Sequence, residues 1–210
     1  MKKIKNIIFD LGGVILNIDI RKTELALEQL GVGNFSNHTS QQAATTFFKE
    51  YETGKIDDDS FIRSIRSLTT DTSTEAQIVE AWNALILDFP PERIEILKNL
   101  KQKYRLFLLS NTNSIHYRQF QQQLFDQTGD YLESYFEKTY YSHTINLRKP
   151  DLASFQYVIN ENNLDPAETV FVDDTEINIT CARELGLAVI HITPGTTIMD
   201  IEDKIATLNK

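Results

Sequence analysis

Four short polar groups in this chain could do chemistry together. Asp10 closes the run Asn6-Ile7-Ile8-Phe9, Ser110 closes Leu106-Phe107-Leu108-Leu109, and Asp173 and Asp174 close Val170-Phe171-Val172. The fourth, Lys149, stands in Arg148-Lys149-Pro150-Asp151. If the apolar runs are parallel strands, three of the four groups meet at one edge of one sheet, outside the carboxyl ends where such sheets bind ligands. A carboxylate, a hydroxyl, an ammonium and an acidic pair suit a divalent cation and a phosphate. A carboxylate such as Asp10 can attack phosphorus and form an aspartyl-phosphate, which splits hydrolysis into two easier steps. The hydroxyl and amides of Ser110-Asn111-Thr112-Asn113 can hold phosphate oxygens. Lys149 would offset charge on nucleophile and phosphate, with Arg148 a weaker candidate for that role. Asp173 and Asp174 repel each other and need a cation or strong donors. Magnesium takes oxygen ligands and keeps several waters, so one or two protein carboxylates plus a substrate phosphate suffice. Each group also has a plain structural reading: a turn former at Asp10, a capping cluster at Ser110, a surface cation at Lys149, and a capping pair at Asp173-Asp174. Their joint occurrence carries the argument.

The elements that must position these groups follow from the hydrophobic pattern. Residues 6–10 read as a buried strand bounded by Gly12-Gly13, with Val14-Ile15-Leu16 extending it as a bent strand or small hairpin. From about residue 21 to 88, apolar residues recur at helical spacing, as in Phe47-Phe48-Tyr51 and Phe61-Ile62-Ile65, with a helix start at Asp57-Asp58-Asp59-Ser60. Pro90-Pro91 marks the exit. Helices then alternate with short apolar runs: a helix over 92–103, a strand over 106–109, a helix over 115–125, a strand over 138–141, a helix over 151–162, a strand over 169–172, a helix over 176–185 stopped by Gly186, and a strand over 188–192. This alternation predicts an α/β protein with a Rossmann-like parallel sheet. Its core would comprise residues 1–16 and 89–210, with a helical insertion over 17–88.

Composition narrows the partners. With 210 residues the chain is long enough for a domain with an insertion, and its formal net charge of −9 disfavours nucleic acid. Cys181 is the only cysteine, so no intrachain disulfide can form and a reducing compartment fits. No apolar stretch reaches membrane-spanning length and the N-terminus lacks a signal-peptide pattern. The expectation is a soluble, cytoplasmic, monomeric protein with a small anionic partner. Gly12-Gly13 does not extend to a dinucleotide-binding pattern. His38, His143 and His191 show no metal-ligand spacing, whereas His116 follows Ser110 closely enough to lie near the site.

The four groups, in order and spacing, resemble the four motifs of the haloacid dehalogenase-like hydrolase superfamily. Phe9-Asp10-Leu11-Gly12-Gly13-Val14 looks like the first, Leu109-Ser110-Asn111-Thr112 the second, Lys149-Pro150-Asp151 the third and Phe171-Val172-Asp173-Asp174 the fourth. The helical stretch is similar in place and length to that family's helical cap. Within the family, Tyr51-Glu52-Thr53-Gly54-Lys55-Ile56, Ser110-Asn111-Thr112-Asn113 with His116, and Arg148-Lys149-Pro150 resemble sugar-phosphate phosphatases of the α-D-glucose-1-phosphate type. The resemblance implies a magnesium-dependent phosphatase for a small phosphorylated metabolite. Asp10 would be nucleophile and metal ligand, the Gly12 carbonyl a second ligand, and Asp174, ahead of Asp173, a third. Ser110 and Asn111 would hold the phosphoryl group and Lys149 would neutralise charge.

One departure stands out. Most phosphatases of the superfamily carry a general acid two residues after the nucleophile, and here that position is Gly12. General acid–base help is worth about a hundred- to ten-thousand-fold. Three readings follow: an easy leaving group such as an anomeric hydroxyl, another acid such as Asp19, or lost hydrolysis with phosphate binding retained. A metal-independent 2-haloacid dehalogenase is the competing enzyme, opposed by the Asp173-Asp174 pair.

Overall fold

Strands of a parallel sheet covered on both faces read as continuous apolar runs, and that is how the sheet-forming segments of this chain are built. The computed structural model describes residues 3–33, 46–69 and 73–209. Five strands, β1 (Asn6–Phe9), β2 (Arg105–Ser110), β3 (Lys138–Tyr141), β4 (Thr169–Asp173) and β5 (Ala188–His191), form one parallel sheet in the order β3-β2-β1-β4-β5. The chain passes from β1 to β2 on one side and later returns to place β4 on the other. Strand order therefore reverses at β1, the kind of point where open α/β sheets bind ligands.

Alternate residues of each strand feed two cores, as the two-residue period requires. Ile7, Phe9, Leu106, Leu108, Val170 and Val172 face one cluster. Ile8, Phe107, Leu109 and Phe171 face the other. The first layer is closed by α5 (Pro91–Lys101), α6 (Ser114–Thr128) and α10 (Ile201–Leu208), through residues such as Leu97, Phe120 and Ile205. The second is closed by α8 (Leu152–Glu161) and α9 (Glu176–Glu184), through Phe155, Val158 and Ile179. A one-turn helix, α7 (Ser142–Ile145), follows β3 directly.

Between β1 and β2 the described residues include α1 (Ile20–Gln29), α2 (Thr46–Glu52), α3 (Asp58–Arg66) and α4 (Glu75–Asn83). Asp57 caps α3 by accepting from the Ser60 N–H at 2.8 Å, and Thr74 with Gln77 forms a capping box on α4. These helices bury an aromatic cluster of their own. The Phe61 ring stacks on Tyr51 at 4.0 Å and lies 4.8 Å from Trp82, and Ile115 of α6 joins the cluster from the other part of the chain. The segments leading in and out run side by side: Asn17 N–H donates to Asp88 O and Leu87 N–H to Asn17 O, at 2.9 and 3.0 Å.

Several sequence expectations are corrected. Val14-Ile15-Leu16 is neither strand nor hairpin. Gly13 N–H donates to Leu16 O, and Ile15 and Leu16 N–H both donate to Leu11 O, so the segment winds back on itself directly after Asp10. Asp19 is the cap of α1, accepting from Arg21 N–H at 3.0 Å. The C-terminal helix α10 has no strong cap or long periodic stretch and escaped the pattern. Cys181 is half-buried against the second core. His38 lies outside the described residues. Among the described residues, no helix is long and apolar enough to cross a membrane.

Phe61 is wholly buried, so Phe61→Ala should cost about 3–5 kcal/mol, measured as a lowered urea midpoint at unchanged slope.

Candidate active site

Register brings the polar strand ends together. Phe9 pairs with Leu108 on one side and Val172 on the other, and Asp10 N–H donates to Val172 O at 2.9 Å. Asp10 therefore leaves the sheet beside Asp173, with Ser110 at the end of the opposite neighbour. Lys149 reaches both acids: its Nζ lies 2.8 Å from Asp10 Oδ1 and 2.6 Å from Asp173 Oδ2. The lysine side chain is 2% exposed and Asp173 fully buried.

The lysine backbone is fixed as tightly as its tip. Asn111 Nδ2 donates to Lys149 O at 2.8 Å, and Lys149 N–H donates to Asn111 Oδ1 at 2.9 Å. The Asn111 side chain is thus committed to holding Lys149. Ser142 does similar work one step away, accepting from Thr112 N–H and donating to Thr112 O, both at 2.9 Å.

The two adjacent acids part company. Asp173 accepts from Thr175 N–H at 2.8 Å and from Asn178 Nδ2 at 3.1 Å to each oxygen, besides Lys149. Sequence reasoning missed Asn178; a polar residue on the inner face of the first turns of α9 was the available signal. Asp174 faces solvent and lies against the turn after Asp10. Gly13 has φ +72, and a Cβ there would sit 2.2 Å from Asp174 Oδ2, so glycine is required for this approach. At Gly12 a Cβ would lie 3.0 Å from Ile18 Cδ1, so a side chain there needs that methyl to move aside.

Electrostatics follow from burial. Burial pushes the Asp10 carboxyl up to about 7, with Asp173 and Asp174 adding to the rise and Lys149 opposing it. Desolvation followed by the Asp173 charge also raises Asp174. Burial works against the Lys149 ammonium, but Asp10 and Asp173 outweigh it and hold its pKa above the ordinary lysine value. Three carboxylates thus face one ammonium, an excess of negative charge that a cation would relieve. Asp10, Asp173 and Asp174 offer oxygens within 4.8 Å of one another. An all-oxygen donor set fits a hard divalent ion such as magnesium.

A family model described as haloacid dehalogenase-like hydrolase matches residues 4–186. The chain belongs to this hydrolase family. It is 32% identical over 183 residues to a D-ribitol-5-phosphate phosphatase of Bacteroides thetaiotaomicron, covering 87% of this chain and 89% of that one. Among solved structures, it is similar to a haloacid dehalogenase-family enzyme of Bacteroides thetaiotaomicron, an aspartate-to-alanine variant in complex with magnesium and inorganic phosphate. The TM-score is 0.89 at 33% identity, with 95% of this chain and 98% of that chain covered. A predicted haloacid dehalogenase-like hydrolase from Porphyromonas gingivalis has a TM-score of 0.88 at 26% identity, with 98% of each chain covered.

In this hydrolase His116 packs between α6 and α4. Its ring stacks on Trp82 of α4 at 4.8 Å, Nε2 lies 3.0 Å from Trp82 O, and Nδ1 lies 3.1 Å from Asn113 Nδ2. A neutral ring that donates from Nε2 and accepts at Nδ1 satisfies both contacts. Burial depresses its pKa from 6.5 to about 4, partly countered by Trp82 O. His143 is also lowered by burial, and His191 Nε2 meets Asp174 O at 3.0 Å.

Between pH 6.5 and 4 the unfolded chain takes up a proton that folded His116 refuses, so stability should fall as pH drops through that window. The full loss is roughly 3 kcal/mol, read as a shallower pH dependence of urea unfolding in His116→Gln than in the natural chain. Lys149→Met would leave Asp10 and Asp173 without their shared cation. It should cost about 3–5 kcal/mol in metal-free unfolding.

Proposed function

We propose that this hydrolase is a magnesium-dependent phosphatase that acts on a small sugar or polyol phosphate, glucose 1-phosphate among them, through an aspartyl-phosphate on Asp10. The carrying observation is the Asp10–Lys149–Asp173 bridge with Asp174 alongside: a buried carboxylate held beside one fixed cation and a second, freely facing carboxylate. The phosphatase relative and the magnesium and phosphate in a similar solved structure support the reading.

In this mechanism Asp10 attacks phosphorus with one carboxylate oxygen. The new oxygen–phosphorus bond forms as the bond to the leaving oxygen breaks, and that oxygen leaves with the electron pair and takes a proton from solvent water. Water then attacks the phosphorus of the aspartyl-phosphate, releasing inorganic phosphate and restoring Asp10. The Ser110 hydroxyl and the Asn111 backbone amide hold phosphate oxygens. Lys149 offsets the charge that gathers on the phosphoryl group and keeps Asp10 oriented. Asp10, the Gly12 carbonyl and Asp174 would hold magnesium, while Asp173 is bonded to Lys149. Bound there, the ion would neutralise phosphate charge and act as a Lewis acid. The helices inserted over residues 17–88 act as the cap, excluding water and carrying the substrate contacts.

Gly12 provides no proton to the leaving group, and Asp19 is spent as a helix cap. Substrates with an acidic leaving oxygen, such as an anomeric phosphate, should therefore react with less penalty than their size would suggest. Phosphate release over a panel including glucose 1-phosphate and ribitol 5-phosphate, with magnesium, tests the reading. Turnover should vanish with a chelator, return with added magnesium, and fall at least a thousand-fold, as an order of magnitude, in Asp10→Asn. Halide release from a 2-haloacid without metal would instead favour the dehalogenase reading.

A further inference from the structure

Ser110 and Asn111, the groups assigned to the phosphate, stand in the loop between β2 and α6, and that loop is tied down residue by residue. The Asn111 side chain bonds both backbone groups of Lys149. Both backbone groups of Thr112 bond the Ser142 hydroxyl. Asn113 Oδ1 accepts from His116 N–H at 3.0 Å and from Trp82 Nε1 at 3.4 Å.

The next two residues are held from the helical insertion. Ser114 and Ile115 open α6, and the first N–H groups of a helix have no partner within it. Asn113 meets the one on His116. The one on Ile115 donates to the Tyr51 hydroxyl oxygen at 3.2 Å. Tyr51 belongs to α2, and its hydroxyl donates in turn to Asp58 Oδ1 at 2.7 Å. Ser114 Oγ donates to the same carboxylate oxygen, and Arg118 Nη2 to Asp58 Oδ2 at 2.5 Å. Asp58, in the first turn of α3, therefore gathers two donors from α6 and one from α2.

Packing alone does not account for the tyrosine. Its ring is buried and stacks on Phe61 at 4.0 Å, in the cluster that Ile115 joins. A phenylalanine would fill that place equally well. A buried hydroxyl costs free energy unless it is bonded, and its bonds here run to the first turn of α6 and to Asp58. The ring is fixed by the insertion, so the hydroxyl transmits that fixed position to the helix start that follows the phosphate loop.

We propose that Tyr51, together with Asp58, is a positioning residue for the phosphate-holding loop. Its hydroxyl sets the first turn of α6, and so the placement of Ser110 Oγ and the Asn111 backbone amide against the phosphoryl group. The helical insertion then has a duty besides covering the substrate. The inference rests on the phosphatase reading and adds the residues that keep its anion-holding groups in place. A misplacement of about 1 Å can cost on the order of a hundred-fold in rate; removing one of several ties should cost less. Because the loop is assigned to the phosphoryl group, which all substrates share, the loss should not depend on the rest of the substrate.

Tyr51→Phe keeps the ring and removes the hydroxyl. With magnesium, its kcat/KM should fall about tenfold, by the same factor for glucose 1-phosphate and for ribitol 5-phosphate. Inorganic phosphate, titrated by calorimetry, should bind about tenfold more weakly as well. Asp58→Asn keeps the size and removes the charge; it should act in the same direction and carries the comparison if Tyr51→Phe fails to fold. Unchanged phosphate affinity in a folded variant, whatever its urea midpoint, assigns the hydroxyl to stability alone and overturns the proposal. A loss that differs between the two substrates makes Tyr51 a substrate contact and overturns it too. Both outcomes leave the phosphatase reading intact, whereas a natural chain that neither binds nor releases phosphate overturns both.

Discussion

A single buried ammonium holds this site together. Lys149 lies between Asp10 at the end of the central strand and Asp173 at the end of its neighbour, and two carboxylates this close would repel without it. The lysine cannot reach both acids unless its own backbone is fixed, which the reciprocal pair with Asn111 accomplishes. Thr175 and Asn178 satisfy the Asp173 oxygens that Lys149 leaves over. Groups from β1, β2, β4, α9 and the loop before α8 are thus tied to one point at the reversal of strand order.

That tie divides the labour between otherwise equivalent acids. Asp173 is saturated by protein donors, whereas Asp174 projects toward solvent across Gly13. A buried, fully bonded carboxylate is a poor candidate to give up its partners for an ion. An exposed one with a raised pKa and a like-charged neighbour benefits from a cation. Backbone geometry makes the difference, since successive side chains at a strand end point to opposite sides.

The helices between β1 and β2 meet the rest of the chain through contacts of different chemistry, two of which lie at Trp82 and at Glu52. Trp82, His116 and Asn113 form a neutral, stacked junction that depends on an uncharged imidazole. Glu52 and Arg148 form a charged contact next to the lysine. The first is closed and satisfied in itself.

The sequence by itself determined the sheet and the positions of the polar groups at its edge. Parallel strands buried on both faces leave continuous apolar runs, and the residue that ends each run must emerge at the same edge. Asp10, Ser110 and Asp173 were legible for that reason. Tertiary structure decided what each polar group bonds to. The Asn111 side chain holds Lys149. Asp19 looked like a spare acid but caps α1. His116 looked like a neighbour of the site but packs under Trp82. The partnership of Glu52 with Arg148 links residues almost a hundred positions apart and leaves no periodic trace. Hydrophobic burial is written in the local pattern of residue types. Hydrogen-bond and ion-pair partners are set by distances of a few ångströms between segments, which only the folded chain brings together.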